Sequence, residues 1–355
     1  MRGRVPLRIR ILSKLRPTPD WDSVTPEQFV EHRAAQDRLR GSVLLRPLTG
    51  RPDRAARITG DTLDLPGRRL SLRVYRPERE SSPLPLVIAF HGGGLIQGTP
   101  DQDDWLLTHL AARSPAVVVS LDYRLAPEHP VPVPVQDAYE AVPRLAELAA
   151  RWGADRHRIA LLGSSAGATL AALTAIRAAE LGPGLRAQIL INPQLDWTER
   201  AFEYPSFTEN ADSPTASPAE CRAVPRLAVP ESFDRRAISP MYSENLKGVA
   251  PALIVAAGLD PLEDQSAAYA DRLRCAGVEV TLRRYPEATH AFLSMPGAVP
   301  AAGPARAEIL AHLRSRLGRA VPAKPERGKS RAAGPGQAQT GDAAAVPGSA
   351  GEARR

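Results

Sequence analysis

Short apolar runs alternate along the chain with longer stretches of helical periodicity. Several runs, such as LVIAF and VVVSL, are apolar without interruption, which is typical of strands covered on both faces. Strand patterns that alternate with helical ones predict an α/β fold, with a mostly parallel sheet and helices on both faces. The seven predicted strands span residues 71–76, 86–91, 116–122, 158–163, 187–192, 252–257 and 279–285.

The clearest helix follows the fourth of these strands. Ala166–Leu181 reads AGATLAALTAIRAAEL, which consists largely of strong helix formers and is apolar around most of its circumference. A helix that is apolar on nearly all sides is a buried one, so we expect it to pack against the sheet. Gly182 and Pro183 are predicted to end it.

A second helix is predicted near the start of the chain. Thr25 and Gln28 resemble a capping box, and Pro26 stands at the first helical position. The helix is predicted to run to about Arg40 and to end at Gly41.

Residues 197–237 interrupt the alternation with five prolines and no clear period. We interpret this segment as a cap inserted above the sheet that meets the N-terminal helix, and Pro225 argues against a long helix within it. The predicted organisation is a basic N-terminal tail, a cap helix region, an α/β domain that includes the insertion, and a disordered tail. These four parts span residues 1–20, 21–50, 51–318 and 319–355.

The two ends differ from the rest in composition. The basic residues 1–20 leave two interpretations open, a solvated tail, which their composition favours, and a short amphipathic helix that touches anionic lipid. Residues from about 319 onward are mostly Ala, Gly, Pro, Arg and Lys, and cannot bury enough apolar surface to order themselves.

The net charge of +7 is concentrated in these two ends, so the segment between them is close to neutral and nothing indicates nucleic-acid binding. Cys221 and Cys275 form neither a disulfide framework nor a metal-ligand spacing, which indicates free thiols in a reducing compartment.

The sequence has no run of about 18 apolar residues and no continuous signal-peptide core. The expected location is therefore the cytoplasm, without stable membrane insertion.

The sharpest chemical signal is the GxSxG pentapeptide that runs from Gly163 to Gly167, between a predicted strand and the buried helix. A serine that transfers acyl groups stands on a strained turn, and flanking glycines let neighbouring backbone approach closely. Ser165 has a glycine two residues away on each side, so it is the candidate nucleophile, and Ser164 is predicted to point aside. The alternative is a purely structural turn, which the strand, turn and helix context disfavours.

A run of glycines ends the LVIAF strand at His91, Gly92, Gly93 and Gly94. Consecutive glycines free several backbone N–H groups to point at one place, as a developing oxyanion requires. We predict an oxyanion hole formed by the N–H groups of Gly92, Gly93 and Ala166, with His91 and Gly94 in support. The alternatives are a flexible turn and a phosphate-binding loop, but the sequence has neither GxxxxGK[ST] nor a strand–GxGxxG–helix unit.

An acid and a histidine are expected after the nucleophile, in loops that follow later strands. Asp260 comes directly after the run ALIVAAG, and His290 follows the last predicted strand. We predict that His290 is the general base for Ser165, whose hydroxyl is a weak nucleophile by itself, and that Asp260 orients the imidazole. Asp264, one helical turn further on, is the alternative acid.

Several motifs occur together in a fixed order. HGGG, DYRLAPEHP, RWGAD, GSSAG, a DPL turn and a final histidine resemble the bacterial hormone-sensitive-lipase-type (family IV) carboxylesterases of the α/β-hydrolase superfamily. The resemblance covers residues 25–317. It implies an eight-stranded, mostly parallel sheet with a small helical cap, and hydrolysis of short to medium acyl esters through an acyl-enzyme without a cofactor. It also implies that Glu128 and His129 support the glycine loop.

Three positions depart from this family's usual pattern. Ser164 stands where the family usually has Asp, Leu95 where it has an aromatic residue, and Ala291 where it has Gly. The cap stretch CRAVPRLAVP has no aromatic residue. These departures leave the predicted triad intact but predict a less aromatic, wider pocket.

Two further functions stay open on the sequence. An amidase or lactonase would use the same three residues, and a non-catalytic small-molecule-binding protein of this fold would use none of them. The presence of all three residue types favours an enzyme. The expected partner is a small ester substrate, a homodimer of the chain stays open, and no metal is expected.

Overall fold

A single eight-stranded sheet forms the centre of the structure, a computed structural model that describes residues 4–15, 18–40, 45–79, 83–181 and 184–318. The strands are β1 Ala56–Leu65, β2 Arg68–Pro77, β3 Leu84–Phe90, β4 Val117–Asp122, β5 Ala154–Ser164, β6 Leu185–Ile191, β7 Ala252–Leu259 and β8 Val280–Thr289. Their order in the sheet is β1-β2-β4-β3-β5-β6-β7-β8. β2 pairs antiparallel with β1 and β4, and the remaining pairs are parallel. The predicted α/β class is confirmed, and each of the seven predicted strands is present.

The strand that the apolar pattern does not predict is β1. It lies at the edge of the sheet, and most of its residues are exposed or half-buried, with Leu63 and Leu65 as its buried members. A strand in this position needs no continuous apolar run, because one antiparallel neighbour satisfies its ladder and water covers much of its surface. Its local signals are the polar alternation in ITGDTLDL and the turn at Gly67, where φ is +73°.

Ten α-helices surround the sheet in the described residues. They are α1 Leu7–Leu15, α2 Pro26–Arg40, α3 Arg46–Thr49, α4 Asp104–Arg113, α5 Val133–Glu147, α6 Ala166–Leu181, α7 Pro205–Glu209, α8 Pro218–Ala228, α9 Glu263–Cys275 and α10 Ala302–Leu317. The buried helix that the sequence predicts is α6, with the same bounds. Its predicted end at Gly182 and Pro183 lies outside the described residues.

The core has two parts, one on each face of the sheet. Successive residues of a strand point to opposite faces, so Ile88 and Phe90 join one cluster while Val87 and Ala89 join the other. The first cluster contains side chains of α5, α6, α8 and α9, and the second contains side chains of α4 and α10. Covering both faces explains why the central strands are continuously apolar in sequence.

The N-terminal helix α2 begins as predicted. The Thr25 N–H donates to Gln28 Oε1 over 3.0 Å, and the Gln28 N–H donates to Thr25 Oγ1 over 3.3 Å. This reciprocal pair is the capping box, which satisfies two N–H groups that have no partner inside the helix. The predicted stop at Gly41 lies outside the described residues.

Of the two interpretations of residues 1–20, the structure contains the helix, over Leu7–Leu15. Ile9 is 1% exposed and belongs to the second core cluster, so this helix is docked on the domain. The tail predicted for residues 319–355 lies outside the described residues.

The 197–237 insertion contains α7, α8 and short 3-10 helices. Pro225 does not end α8, which continues for most of another turn to Ala228, where the Val229 N–H caps it by donating to Pro225 O over 3.0 Å. Proline costs the helix one internal hydrogen bond, from residue 225 to the carbonyl of Cys221. The burial of Val224, Leu227 and Ala228 in the first core cluster compensates for this loss. Arg226 donates to the carbonyl groups of Trp21 and Val24, over 2.9 and 3.1 Å, so the insertion contacts the N-terminal region.

A buried carboxylate joins three parts of the domain. Asp137 of α5 is 0% exposed and accepts from Arg68 at the start of β2 over 2.6 Å and from Arg124, which follows β4, over 2.8 Å. The Arg124 backbone N–H also donates to it over 3.0 Å. Removing the charge of a buried carboxylate leaves its cationic partners desolvated without compensation.

We therefore expect Asp137→Asn to lower the free energy of unfolding by about 3 kcal/mol, as for other broken buried ion pairs. Urea denaturation followed by circular dichroism measures this change. The matched control is Glu140→Gln, which removes an exposed partner of Arg68 and should cost less than about 1 kcal/mol. Equal losses in the two variants would contradict the importance of burial at Asp137.

Candidate active site

Three side chains meet at the carboxyl edge of the sheet. Ser165 follows β5, Asp260 follows β7 and His290 follows β8. His290 Nε2 lies 2.8 Å from Ser165 Oγ, and His290 Nδ1 lies 2.6 Å from Asp260 Oδ2. The structure thus brings the predicted nucleophile, base and acid into one hydrogen-bonded line. A hydroxyl bonded to an imidazole, whose other nitrogen donates to a buried carboxylate, can lose its proton as it attacks a carbonyl carbon.

The turn that carries Ser165 is tightly constrained. Ser165 has a φ of +54°, in the left-handed region that L residues rarely adopt, and its N–H donates to Ile191 O over 2.9 Å. A Cβ at Gly163 would lie 2.2 Å from Gly167 O, and a Cβ at Gly167 would lie 2.2 Å from Phe90 O. Side chains at either glycine would force these backbone segments apart, so both glycines are needed for the turn.

The glycine loop lies directly beside this turn. A Cβ at Gly92 would lie 3.0 Å from Ser164 O and 3.4 Å from the Cβ of Ser165. Gly93 has a φ of +125°, and its carbonyl accepts from the N–H groups of Ile96 and Gln97. The loop therefore turns sharply next to the serine, in a conformation that favours glycine.

Three backbone N–H groups remain available near Ser165. Among the described residues, no hydrogen bond occupies the N–H of Gly92, Gly93 or Ala166. Ala166 is the first residue of α6, whose opening N–H groups have no partner inside the helix. Donors at such positions can stabilise a negative oxygen that develops on a substrate bound at Ser165.

The side chain of His91 supports the glycine loop by packing and by a hydrogen bond. Its ring is stacked on Tyr123 with centroids 4.3 Å apart, and the Tyr123 hydroxyl donates to His91 O over 2.7 Å. Its Nδ1 lies 2.9 Å from Gly92 O and donates to it, because a carbonyl oxygen only accepts. Gly94, also predicted to support the loop, has a φ of +66° and packs against Val224 of α8, which would lie 2.7 Å from a Cβ there.

The two candidate acids separate clearly in space. Asp260 is 1% exposed, and besides His290 it accepts from the Leu262 N–H over 2.9 Å. Asp264 instead accepts from the Ser206 N–H over 2.7 Å, at the start of the short helix α7. Asp264 lies one helical turn after Asp260, and its carboxylate therefore contacts the cap insertion, whereas the carboxylate of Asp260 contacts the imidazole.

The support predicted for Glu128 is indirect. Glu128 pairs with Arg33 of α2, whose Nη1 donates to Ile96 O over 2.9 Å and to Ala126 O over 3.1 Å. Arg33 thus links the N-terminal helix to the loop that follows the glycines, a role that sequence reasoning missed because no local pattern indicates it. The His129 side chain is exposed to solvent.

Two of the family departures lie at left-handed positions. Ala291 has a φ of +56° directly after His290, and Leu95 has a φ of +60° directly after the glycines. Ala291 occupies a conformation that glycine would adopt at lower cost, which gives the family's usual glycine at this position a physical reason.

A carboxylate of the cap helix acts on the imidazole. Burial lowers the pKa of His290, but the charge and hydrogen bond of Asp260 and the more distant charge of Glu220 outweigh it, so the pKa is raised above its usual value. Glu220 is half-buried on α8, one turn before Val224, which packs on Gly94. The cap helix therefore adds negative potential to the site.

The same carboxylates raise the pKa of a thiol on the cap helix. Burial raises the pKa of the Cys221 thiol, with Glu220 and Asp260 adding to the rise, so this cap thiol stays protonated.

In the part of the chain that the structure describes, no group of three or more His, Cys, Asp or Glu side chains could hold a metal ion.

Known proteins resemble this chain in sequence and in fold. A family model described as the alpha/beta hydrolase fold matches residues 87–294. Esterase LipI of Mycobacterium tuberculosis is 37% identical over 264 residues, which cover 73% of this chain and 82% of LipI. Carboxylesterase NlhH of the same species is 38% identical over 254 residues, covering 70% of this chain and 79% of NlhH. The structure of the ester-hydrolase EH1AB1, from the metagenome of Lake Arreo, has a TM-score of 0.78 and 31% identity, and covers 89% of this chain and 100% of its own.

The raised pKa of His290 generates a prediction about pH. The imidazole must be neutral to accept a proton, so activity falls as the pH drops through its pKa. Glu220→Gln removes a charge that favours the protonated imidazole, and we expect the acidic limb of the kcat/KM profile to move to lower pH.

The control for this experiment is Glu244→Gln, which removes the same charge from an exposed position outside the site. It should leave the acidic limb unchanged. An identical profile for Glu220→Gln and the unaltered protein would contradict the influence of Glu220 on His290.

Proposed function

The chain belongs to the α/β-hydrolase fold family, in its hormone-sensitive-lipase-type (family IV) branch, and on this premise we propose that it hydrolyses small carboxylic esters. Ser165 is the proposed nucleophile, His290 the general base and Asp260 the residue that orients the imidazole. The observation that carries the proposal is the hydrogen-bonded line of 2.8 and 2.6 Å through His290. The names of the relatives, esterase and carboxylesterase, support the same reaction.

The first half of the proposed reaction forms an acyl-enzyme. Ser165 Oγ attacks the ester carbonyl carbon as His290 Nε2 takes the hydroxyl proton. The carbonyl oxygen becomes negative and accepts from the N–H groups of Gly92, Gly93 and Ala166, each contributing on the order of 3 kcal/mol to lowering the barrier. The tetrahedral intermediate then breaks its bond to the alkoxy oxygen, which leaves as an alcohol with the proton from His290.

The second half repeats these steps with water. His290 takes a proton from a water molecule as its oxygen attacks the acyl carbon, and the new oxyanion occupies the same three N–H groups. Collapse of this intermediate releases the carboxylic acid and returns the proton to Ser165. Asp260 keeps its hydrogen bond to His290 Nδ1 and stabilises the imidazolium in each half.

The proposed substrates are short to medium acyl esters. The cap side chain next to the glycine loop is aliphatic, since Val224 packs on Gly94, and the predicted cap stretch has no aromatic residue to fill the pocket. Hydrolysis rates across p-nitrophenyl esters of increasing acyl length test this preference directly.

The proposal requires that activity depend on Ser165 and not on the serine beside it. Ser165→Ala should lower kcat for p-nitrophenyl butyrate by about 10⁴-fold or more, the effect seen when a triad serine is lost. It should also abolish labelling by a fluorophosphonate. Ser164→Ala, the adjacent control, should keep both, and full activity in Ser165→Ala would overturn the proposal.

The two acids provide a second matched pair. Asp260→Asn should lower kcat by about 10⁴-fold, because an amide at this position favours the wrong imidazole tautomer. Asp264→Asn should keep nearly full activity, since Asp264 contacts Ser206 and not His290. Loss of activity in Asp264→Asn with retention in Asp260→Asn would reverse the assignment of the acid.

A further inference from the structure

Two large apolar side chains of α1 face solvent. Leu7 is 67% exposed and Ile11 is 53% exposed, and they are the only exposed large hydrophobic residues among the side chains that the structure describes. They are four residues apart, so they lie on one face of the helix, one turn from each other. Neighbouring apolar side chains that are exposed together form a contiguous patch, and such patches are typical of surfaces that contact a partner.

Cationic side chains surround this pair. Arg4, Arg8 and Arg10 are exposed, and the printed sequence has no acidic residue before Asp20. With 3.6 residues per turn, Arg8 and Arg10 fall on opposite sides of the line that joins the two apolar residues. The outer face of α1 is therefore apolar at its centre and positive at its margins.

The opposite face of α1 holds the helix on the domain. Ile9 is 1% exposed within the second core cluster, and Val5 packs against the same cluster. From the side of the helix, Arg8 Nη1 also donates to Gly297 O over 2.8 Å, in the segment that follows His290. Because the helix is anchored from behind, its outer face has a fixed direction and needs little ordering before it binds.

We propose that this outer face docks on an anionic lipid surface. Leu7 and Ile11 would enter the boundary between head groups and acyl chains, while Arg4 and Arg10 meet the anionic head groups. In a symmetric dimer formed through this face, the same arginines of the two copies would lie opposite each other, and their repulsion disfavours such a dimer. A nucleic acid would leave the apolar pair without a partner. The attachment is peripheral, and in the described residues no helix is long and apolar enough to cross a membrane.

Sedimentation with lipid vesicles tests the proposal on the full chain. The protein should sediment with vesicles of equal phosphatidylglycerol and phosphatidylcholine, and binding should fall at high salt, which screens the arginines. Vesicles of phosphatidylcholine alone should bind it weakly. Leu7→Ser combined with Ile11→Ser should weaken binding at least about tenfold, because two apolar contacts are lost.

Charge variants give an independent test. Arg4→Gln combined with Arg10→Gln should weaken binding up to about thirtyfold, since each cation near an anionic bilayer contributes roughly a factor of five. The matched control is Arg54→Gln combined with Arg156→Gln, which removes the same charge from exposed positions outside α1 and should bind like the unaltered protein. Hydrolysis of p-nitrophenyl butyrate, unchanged in all variants, shows that they remain folded.

Three results would overturn the proposal. The first is equal binding to neutral and anionic vesicles, and the second is binding that the α1 variants leave intact. The third is a dimer in sedimentation velocity, formed without lipid and lost in the Leu7→Ser and Ile11→Ser variant, which would assign the face to a second copy of the chain.

Discussion

The candidate site depends on the relative positions of three strand ends. One side chain of the site follows each of the strands β5, β7 and β8 at the carboxyl edge of the sheet. His290 lies within hydrogen-bond distance of both Ser165 and Asp260. A shift of about 1 Å between these strands would break one of the two hydrogen bonds, because such bonds weaken steeply with distance and angle. The continuous apolar core on both faces of the sheet prevents that shift, since a close-packed interior resists deformation.

Backbone strain is concentrated at the same edge. In the described residues, the four non-glycine residues with positive φ are Leu95, Ser165, Asn192 and Ala291. Each follows a strand at its carboxyl end, in the loops that build the site. Such conformations persist only where the surrounding structure determines them, as the close backbone contacts at Gly163 and Gly167 do for Ser165. The stability of the sheet thus maintains a turn that would be unfavourable in an isolated peptide.

The cap contributes both shape and charge. Arg33 connects α2 to the segment after the glycines, and Arg226 connects α8 to the N-terminal region. Through these contacts, α8 is held over the site, where Val224 packs on Gly94 and the charge of Glu220 reaches His290. The cap therefore affects the basicity of the imidazole and packs against the glycine loop.

Much of the architecture was determined by the sequence alone, because it rests on local rules. The apolar runs predicted seven of the eight strands, and Thr25 with Gln28 predicted the start of α2. The GxSxG and HGGG motifs predicted which backbone would turn sharply, since only glycine permits such close approaches. The order of acid and histidine after the serine identified the three side chains that the structure brings together.

Only the tertiary structure decided the remaining features. The edge strand β1 has one largely exposed face and so lacks an apolar run. The helix α8 continues past Pro225 because its apolar residues on both sides of the proline are buried in the core. The choice between Asp260 and Asp264, and the contacts of Arg33, depend on which distant segments fold against them. Local patterns report the periodicity and backbone freedom of neighbouring residues, whereas these contacts join residues far apart in the chain, and only folding brings such residues together.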